Sequence, residues 1–175
     1  GEPITIEAAR IAPWKGRAAD VDVVLDLMIH DIDLVLALAG PDAAVTSVSA
    51  AGAAVRGPTN DWAEAEIAFS TGLVAKIETS RIAPASERRL SLTDRSRTLH
   101  ADFAARRLSD SRGFETEFPA SDNLAAEIDS FLDAVAGKAP VVVDGAAGNA
   151  ALDLAERIRA AIASNPARHS AGLVS

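Results

Sequence analysis

Apolar and polar residues alternate along most of the central part of the chain. Together with the β-branched content, this alternation predicts an antiparallel sheet of about six strands. Ser70-Thr71-Gly72 closes a hairpin between two of them, and Asp94-Arg95-Ser96-Arg97 forms another turn. The predicted strands are 4–11, 45–55, 62–69, 73–79, 88–92 and 98–108, with 114–118 as a further short segment.

Three segments show helical periodicity instead. The first, 21–39, ends at Gly40-Pro41. The second, 124–135, is capped by Asp122 and directs Ile128, Phe131 and Leu132 inward. The third, 146–163, buries Leu152, Leu154, Ile158 and Ile162.

This order of elements indicates an α+β fold, in which helices pack on one face of a mainly antiparallel, open-faced sheet. The length of 175 residues suits one domain over 1–175, and we expect the tail 165–175 to be flexible. The uncovered face of the sheet either is solvated or pairs with a second copy as a homo-oligomer.

Charge and composition argue against several classes of protein. The net charge of −8 opposes binding to nucleic acid. The absence of cysteine excludes thiolate chemistry and fits a cytoplasmic location. Segment 21–39 is nearly long enough to span a membrane, but it carries four aspartates, so we expect no membrane insertion.

The first helix sets a histidine among carboxylates. With α-helical spacing, Asp22, Asp26, His30 and Asp33 share one stripe. A carboxylate beside an imidazole stabilises the protonated ring, which suits acid–base chemistry on a polar ligand. The alternatives are an inert, solvated stripe and a metal site. A metal site is weakly supported because one helix supplies too few ligands and His100 and His169 lie elsewhere, so we predict none.

The residues then show a resemblance to a known family. The chain resembles the C-terminal domain of the glucose–fructose oxidoreductase, inositol dehydrogenase and MocA-like oxidoreductases. The similarity rests on the order and spacing of several features: Glu7 and Arg10 in the opening strand, the Asp26-x-x-x-His30-Asp31-x-Asp33 helix, the hairpin 69–75, Ser80-Arg81, Arg88-Arg89, and the closing pair 124–135 and 145–162. The family implies a dihydrodipicolinate-reductase-like or glyceraldehyde-3-phosphate-dehydrogenase-like C-terminal fold.

The resemblance implies that the helix lines a sugar cleft and that Asp26 and His30 transfer the proton of the hydroxyl being oxidised. Asp33 and Asp22 are then substrate-binding candidates, with Asp33 also able to orient His30, whereas Asp31 points away and has a structural role. Arg81, Arg88 and Arg89 are typical of sheet-edge or interface charges. Their alternative is contact with an anionic substrate, for which Arg88 is the candidate.

The chain departs from the family in lacking its Rossmann domain. It contains no G-x-G-x-x-G and no Glu-Lys-Pro segment, and Lys15, Lys76 and Lys138 are interpreted as solvated charges. We therefore expect the substrate-binding and dimerisation part of a bacterial NAD- or NADP-dependent sugar dehydrogenase, without bound cofactor and inactive alone. Segment 23–33 is particularly similar to the branch acting on nucleotide-linked amino sugars. The alternative is a stand-alone homodimeric ligand-binding module without catalysis.

Overall fold

A computed structural model describes residues 4–165 and contains one eight-stranded sheet. The strands are β1 (Thr5–Ile11), β2 (Val45–Ala53), β3 (Trp62–Phe69), β4 (Val74–Ser80), β5 (Glu87–Thr93), β6 (Thr98–Asp102), β7 (Arg107–Asp110) and β8 (Glu115–Glu117). Their order in the sheet is β2-β3-β4-β1-β5-β6-β7-β8. Strand β1 lies in the middle, parallel to β4 and antiparallel to β5, and all other neighbours are antiparallel.

The sheet has eight strands where about six were expected, because segment 98–108 is divided between two strands, β6 and β7, and the short segment 114–118 forms β8. The side chain of Asp102 accepts hydrogen bonds from the backbone N–H groups of Ala104 and Ala105, both at 2.9 Å, and so turns the chain after β6. Arg106 takes a positive φ of 53° before β7 begins. The mainly antiparallel α+β class is confirmed.

The first helix begins later than predicted and is not α-helical throughout. It starts with a π-helical turn, Val24–Met28, in which the N–H of Ile29 bonds the carbonyl of Val24, and continues as α1 (Ile29–Ala39). Helices α2 (Asn123–Val135) and α3 (Gly145–Ala163) follow the sheet. None of these helices, over residues 4–165, combines the length and apolar character that a bilayer crossing needs.

The core lies between strands β1 to β4 and the helical layer formed by the π-turn, α1 and α3. Its largest fully buried side chains are Ile6, Met28, Ile32, Ile67, Ile77, Ile158 and Ile162. The prediction for Leu152 was wrong, since it is exposed. The buried face of α3 follows Ala151, Leu154, Ala155, Ile158 and Ile162, and position 152 lies off that face.

Helix α2 does not join this core. Ile128, Phe131 and Leu132, which were expected to face inward, are all at least half exposed, and α2 packs extensively against neither the sheet nor the other helices. Its cap is as predicted, because the Asp122 carboxylate accepts a hydrogen bond from the N–H of Ala125 at 3.1 Å. The flexibility expected of 165–175 concerns residues that, from 166 onward, lie outside the described part.

Candidate functional site

Arg81 organises a buried polar network where β4 ends. Its side chain is nearly inaccessible, and its five N–H donors all have acceptors. Nε donates to Asp61 Oδ1 at 2.7 Å. The two terminal nitrogens donate to the carbonyls of Ala18 (2.6 Å), Val21 (2.7 Å) and Asn60 (3.2 Å) and to Thr59 Oγ1 (3.1 Å). This guanidinium therefore ties loops 12–22 and 54–61 to the sheet.

The partner carboxylate of Asp61 is completely buried. Burial alone would raise its pKa, but hydrogen bonds from the backbone N–H of Arg56 (2.6 Å), the Arg81 side chain and the N–H of Val55 (2.7 Å) outweigh that effect. The pKa of Asp61 consequently lies below its ordinary value, and the folded protein holds this carboxylate in its charged form.

Sequence reasoning missed this pair and interpreted Arg81 as a sheet-edge charge, which was wrong. The predicted β3–β4 hairpin could have indicated the pairing of Asp61 with Arg81. Trp62 is paired with Ser80 across β3 and β4, so the residues one step outward, Asp61 and Arg81, lie opposite each other with opposite charges. The N–H of Arg81 also bonds the carbonyl of Asp61 at 2.9 Å, which continues the ladder.

Asp22 lies at the entrance of the first helix, with both oxygens of its carboxylate bonded. It lies before the π-turn and is buried; one carboxylate oxygen accepts the N–H of Val24 at 3.0 Å and the other accepts Asn60 Nδ2 at 2.7 Å. The N–H of Asp26 bonds the carbonyl of Asp22 at 3.0 Å, so α-helical spacing reaches back to Asp22. The π-turn Val24–Met28 changes that spacing between Asp22 and His30.

Three of the predicted residues lie together on the helix and lack a hydrogen-bonding partner for their side chains in the described part of the chain. Asp26 is 37% exposed, Asp33 is half-buried and His30 is exposed. Among the described residues, none of the three side chains makes a hydrogen bond, and Asp26 is not bonded to His30. The nearest cation to Asp26 is Arg81, at 3.9 Å from its terminal nitrogen, but the donors of that guanidinium are already used. These three groups are available to a ligand.

Asp31 anchors α1 to the sheet from the opposite side of the helix. It is buried and accepts two hydrogen bonds from Arg10, at 2.6 and 3.0 Å. This agrees with the structural role expected for it. Arg10 was not singled out as its partner, since no sequence pattern links the two positions.

Arg88 lies directly opposite Arg10 across β1 and β5, with its guanidinium 5.0 Å from the ring centre of Phe103. Burial and the neighbouring Arg10 lower the pKa of Arg88, while Asp31 partly offsets them. Two guanidiniums thus share one carboxylate, which bonds only Arg10. The pair retains one uncompensated positive charge that an anion can meet.

The described residues do not form a dinucleotide site. Only β1 and β4 among these strands are parallel, so the strand–helix–strand unit with a glycine-rich loop is not part of this sheet, and the sequence has no G-x-G-x-x-G. Over residues 4–165, no group of three or more histidine and acidic side chains is arranged to hold a metal.

The open-faced, mainly antiparallel sheet with helices on one face is the fold of a C-terminal domain found in a known family. The chain belongs to the GFO/IDH/MocA C-terminal domain family, whose model matches residues 3–100, more than half of the sequence.

Among curated proteins, UDP-N-acetylglucosamine 3-dehydrogenase from Acidithiobacillus ferrooxidans is 37% identical over 93% of this chain. Its solved structure superposes with a TM-score of 0.87 over 94% of the chain. The WlbA dehydrogenase from Bordetella pertussis, in complex with NADH and UDP-GlcNAcA, shares the fold at a TM-score of 0.75 and 15% identity over 94% of the chain, which covers 56% of that protein. The chain spans only 55% of the Acidithiobacillus enzyme's length.

Proposed function

We propose that this chain is the substrate-binding part of a longer NAD- or NADP-dependent dehydrogenase that oxidises a hydroxyl group of a nucleotide-linked sugar. One observation carries the proposal. On a helix whose neighbouring carboxylates are hydrogen-bonded internally, the side chains of Asp26, His30 and Asp33 make no hydrogen bond with the described residues. The 37% identity to a UDP-N-acetylglucosamine 3-dehydrogenase supports the substrate class.

His30 is the proposed proton acceptor. Oxidation of an alcohol removes hydride from carbon and a proton from oxygen, and a nicotinamide held by the rest of the parent protein supplies the hydride acceptor. An imidazole nitrogen of His30 takes the proton. Its exposure is consistent with a residue that forms one wall of a cleft whose other wall belongs to the rest of the parent protein.

Asp26 stabilises the imidazolium that results. It lies one turn before His30, and the Arg81 guanidinium faces its carboxylate at 3.9 Å without occupying an oxygen with a hydrogen bond. Asp33 either orients His30 or accepts hydrogen bonds from sugar hydroxyls. Asp22, whose oxygens are both occupied, acts by fixing the start of the helix.

Arg88 is the proposed contact for the anionic part of the substrate. Its guanidinium makes no hydrogen bond with the described residues, and the excess positive charge of the Arg10–Asp31–Arg88 group favours an anion. The diphosphate of a nucleoside diphosphate sugar supplies the negative charge, and Arg binds phosphate oxygens in a bidentate manner.

The open face of the sheet is the proposed contact between copies. It holds a shallow groove of about 480 Å³ lined by both signs of charge, among them Glu7, Glu66, Lys76 and Arg89. Mixed charges of this kind suit self-complementary pairing of two identical faces. Sedimentation of the 175-residue chain at micromolar concentration should give the mass of a dimer or a larger oligomer. A monomeric mass would contradict this contact.

The decisive experiment is on the parent protein. The reading frame around this chain should encode a dinucleotide-binding domain, and the complete protein should reduce NAD or NADP with UDP-N-acetylglucosamine. His30→Ala should lower kcat by about 10²–10⁴-fold. The matched control is His100→Ala, a histidine in β6 bonded to Ser91, which should retain activity. Turnover little changed by His30→Ala would remove the proton-transfer role.

A further inference from the structure

Helix α2 and the valines after it present an uncovered apolar surface. The surface comprises one face of the helix and the extended run that follows, and its side chains are between 50% and 81% exposed: Leu124, Ile128, Phe131, Leu132, Val135, Val141, Val142 and Val143. We call these residues the α2 surface. A groove of about 660 Å³ lies between the helix and the valine run.

The α2 surface has the properties of an interface rather than of a solvated helix. The opposite side of α2 carries Asp129 and Asp133, so the helix is two-sided, and Glu127 lies at the edge of the apolar surface, where it lines the groove. A helix of thirteen residues is marginal in water without packing. Contiguous apolar patches of this kind on a globular protein mark a surface that a partner covers.

The match to relatives indicates that α2 is part of the shared fold. The superposition on the Acidithiobacillus enzyme covers 94% of this chain, which leaves out fewer residues than α2 and the valine run contain. That enzyme has a further 45% of its length beyond the match, since the chain covers 55% of it. A segment of about a domain's size therefore accompanies this fold in the same polypeptide.

We infer that the α2 surface packs against the remaining domain of the same polypeptide, an inference that rests on the proposed function only in requiring a longer parent protein. A domain on the same chain is present at an effective concentration in the millimolar range, so it occupies the surface before a second copy from solution. The mixed-charge open face of the sheet remains for copy-to-copy contact, whereas the α2 surface is apolar.

Amide hydrogen exchange, measured with and without the remaining domain, tests whether that domain covers the α2 surface. The 175-residue chain and the full-length parent are compared without substrate, and the backbone amides of Asn123–Val135 should exchange at least about tenfold more slowly in the parent. Phe131→Asp in the parent should return them to the rate seen in the shorter chain. The same variant should leave the thermal midpoint of the shorter chain nearly unchanged, because the Phe131 side chain is 66% exposed there.

Ala126→Asp is the matched control, since it places the same charge on the opposite side of α2 and should leave protection in the parent intact. Equal exchange in both proteins overturns the inference, whether or not the parent oxidises a sugar. Protection of α2 in a parent without dehydrogenase activity would instead reject the proposed function alone. A dimer of the shorter chain that Phe131→Asp dissociates would assign the surface to a second copy and overturn the inference.

Discussion

Two polar regions adjoin the start of the first helix, and they differ in how far their groups are satisfied. Around Arg81, every guanidinium donor has an acceptor and both oxygens of Asp61 are bonded. On the helix itself, Asp26, His30 and Asp33 make no hydrogen bond with the described residues. The two regions approach each other at the 3.9 Å contact between Arg81 and Asp26.

The difference separates groups that hold the fold from groups that are open to chemistry. A buried ion that loses its partner costs several kcal/mol, so the first region must be complete before the protein is stable. Exposed polar groups without partners contribute little to folding. Substitutions in the two regions should therefore have very different effects on the free energy of unfolding.

Arg81→Met should have the largest effect. It leaves the Asp61 carboxylate buried without its cation, and we expect a loss of about 3–5 kcal/mol in the free energy of unfolding, measured by urea denaturation. Arg89→Met is the control, because that guanidinium is about half exposed and is paired with Glu87. It should change stability by less than about 1 kcal/mol. Equal losses would contradict the comparison.

Asp61→Asn should cost about 1–3 kcal/mol at pH 7. Because the pKa of Asp61 is lowered in the folded protein, the carboxylate contributes fully above its unfolded pKa of about 3.9 and loses that contribution as the pH falls through the lower folded value. Stability measured from pH 7 to pH 2.5 should show wild type and variant converging at the acidic end. A constant difference across this range would refute the assignment.

Asp22→Ala should cost about 1–2 kcal/mol, since the first turn loses its cap and Asn60 loses an acceptor. Asp20→Ala is the control, because Asp20 is an exposed neighbour in the same loop. Thermal denaturation of both variants measures the two losses of stability. No difference between them would mean that the cap contributes nothing.

His30→Ala should have the smallest effect, within about 0.5 kcal/mol of wild type. The ring bonds no described residue, so its removal leaves no group unsatisfied. Urea denaturation of the 175-residue chain measures it. A loss of several kcal/mol would place His30 among the groups that hold the fold and would break the comparison.

Short-range patterns predicted much of the fold. Alternation located the strands, and the Gly40-Pro41 stop and the Asp122 cap located helix ends to within a residue or two. The π-turn at Val24–Met28 was beyond such reasoning, because apolar spacing does not distinguish α from π geometry over five residues. The exposure of Phe131 was missed for a different reason. An amphipathic pattern predicts that the apolar face of a helix is buried, but it does not show whether the partner is this domain or another one.

For the candidate site, the sequence predicted His30 and its carboxylates as functional groups, and it did not predict their surroundings. Asp31 was correctly separated from His30 by its angle around the helix, but its partner Arg10 lies 21 residues away on β1. The pairing of Arg10 with Arg88 depends on the register of β1 against β5, which no turn fixes. Contacts of this kind, which depend on the register of a central strand, can be predicted only once the pairing of the whole sheet is known.

The central position of β1 also determines how the molecule carries load. A pull on the chain at Ile4 acts along a strand bonded to β4 on one side and β5 on the other, so both ladders must shear together before the strand yields. Motion of any segment joined there is transmitted to the middle of the sheet rather than absorbed at a frayed edge.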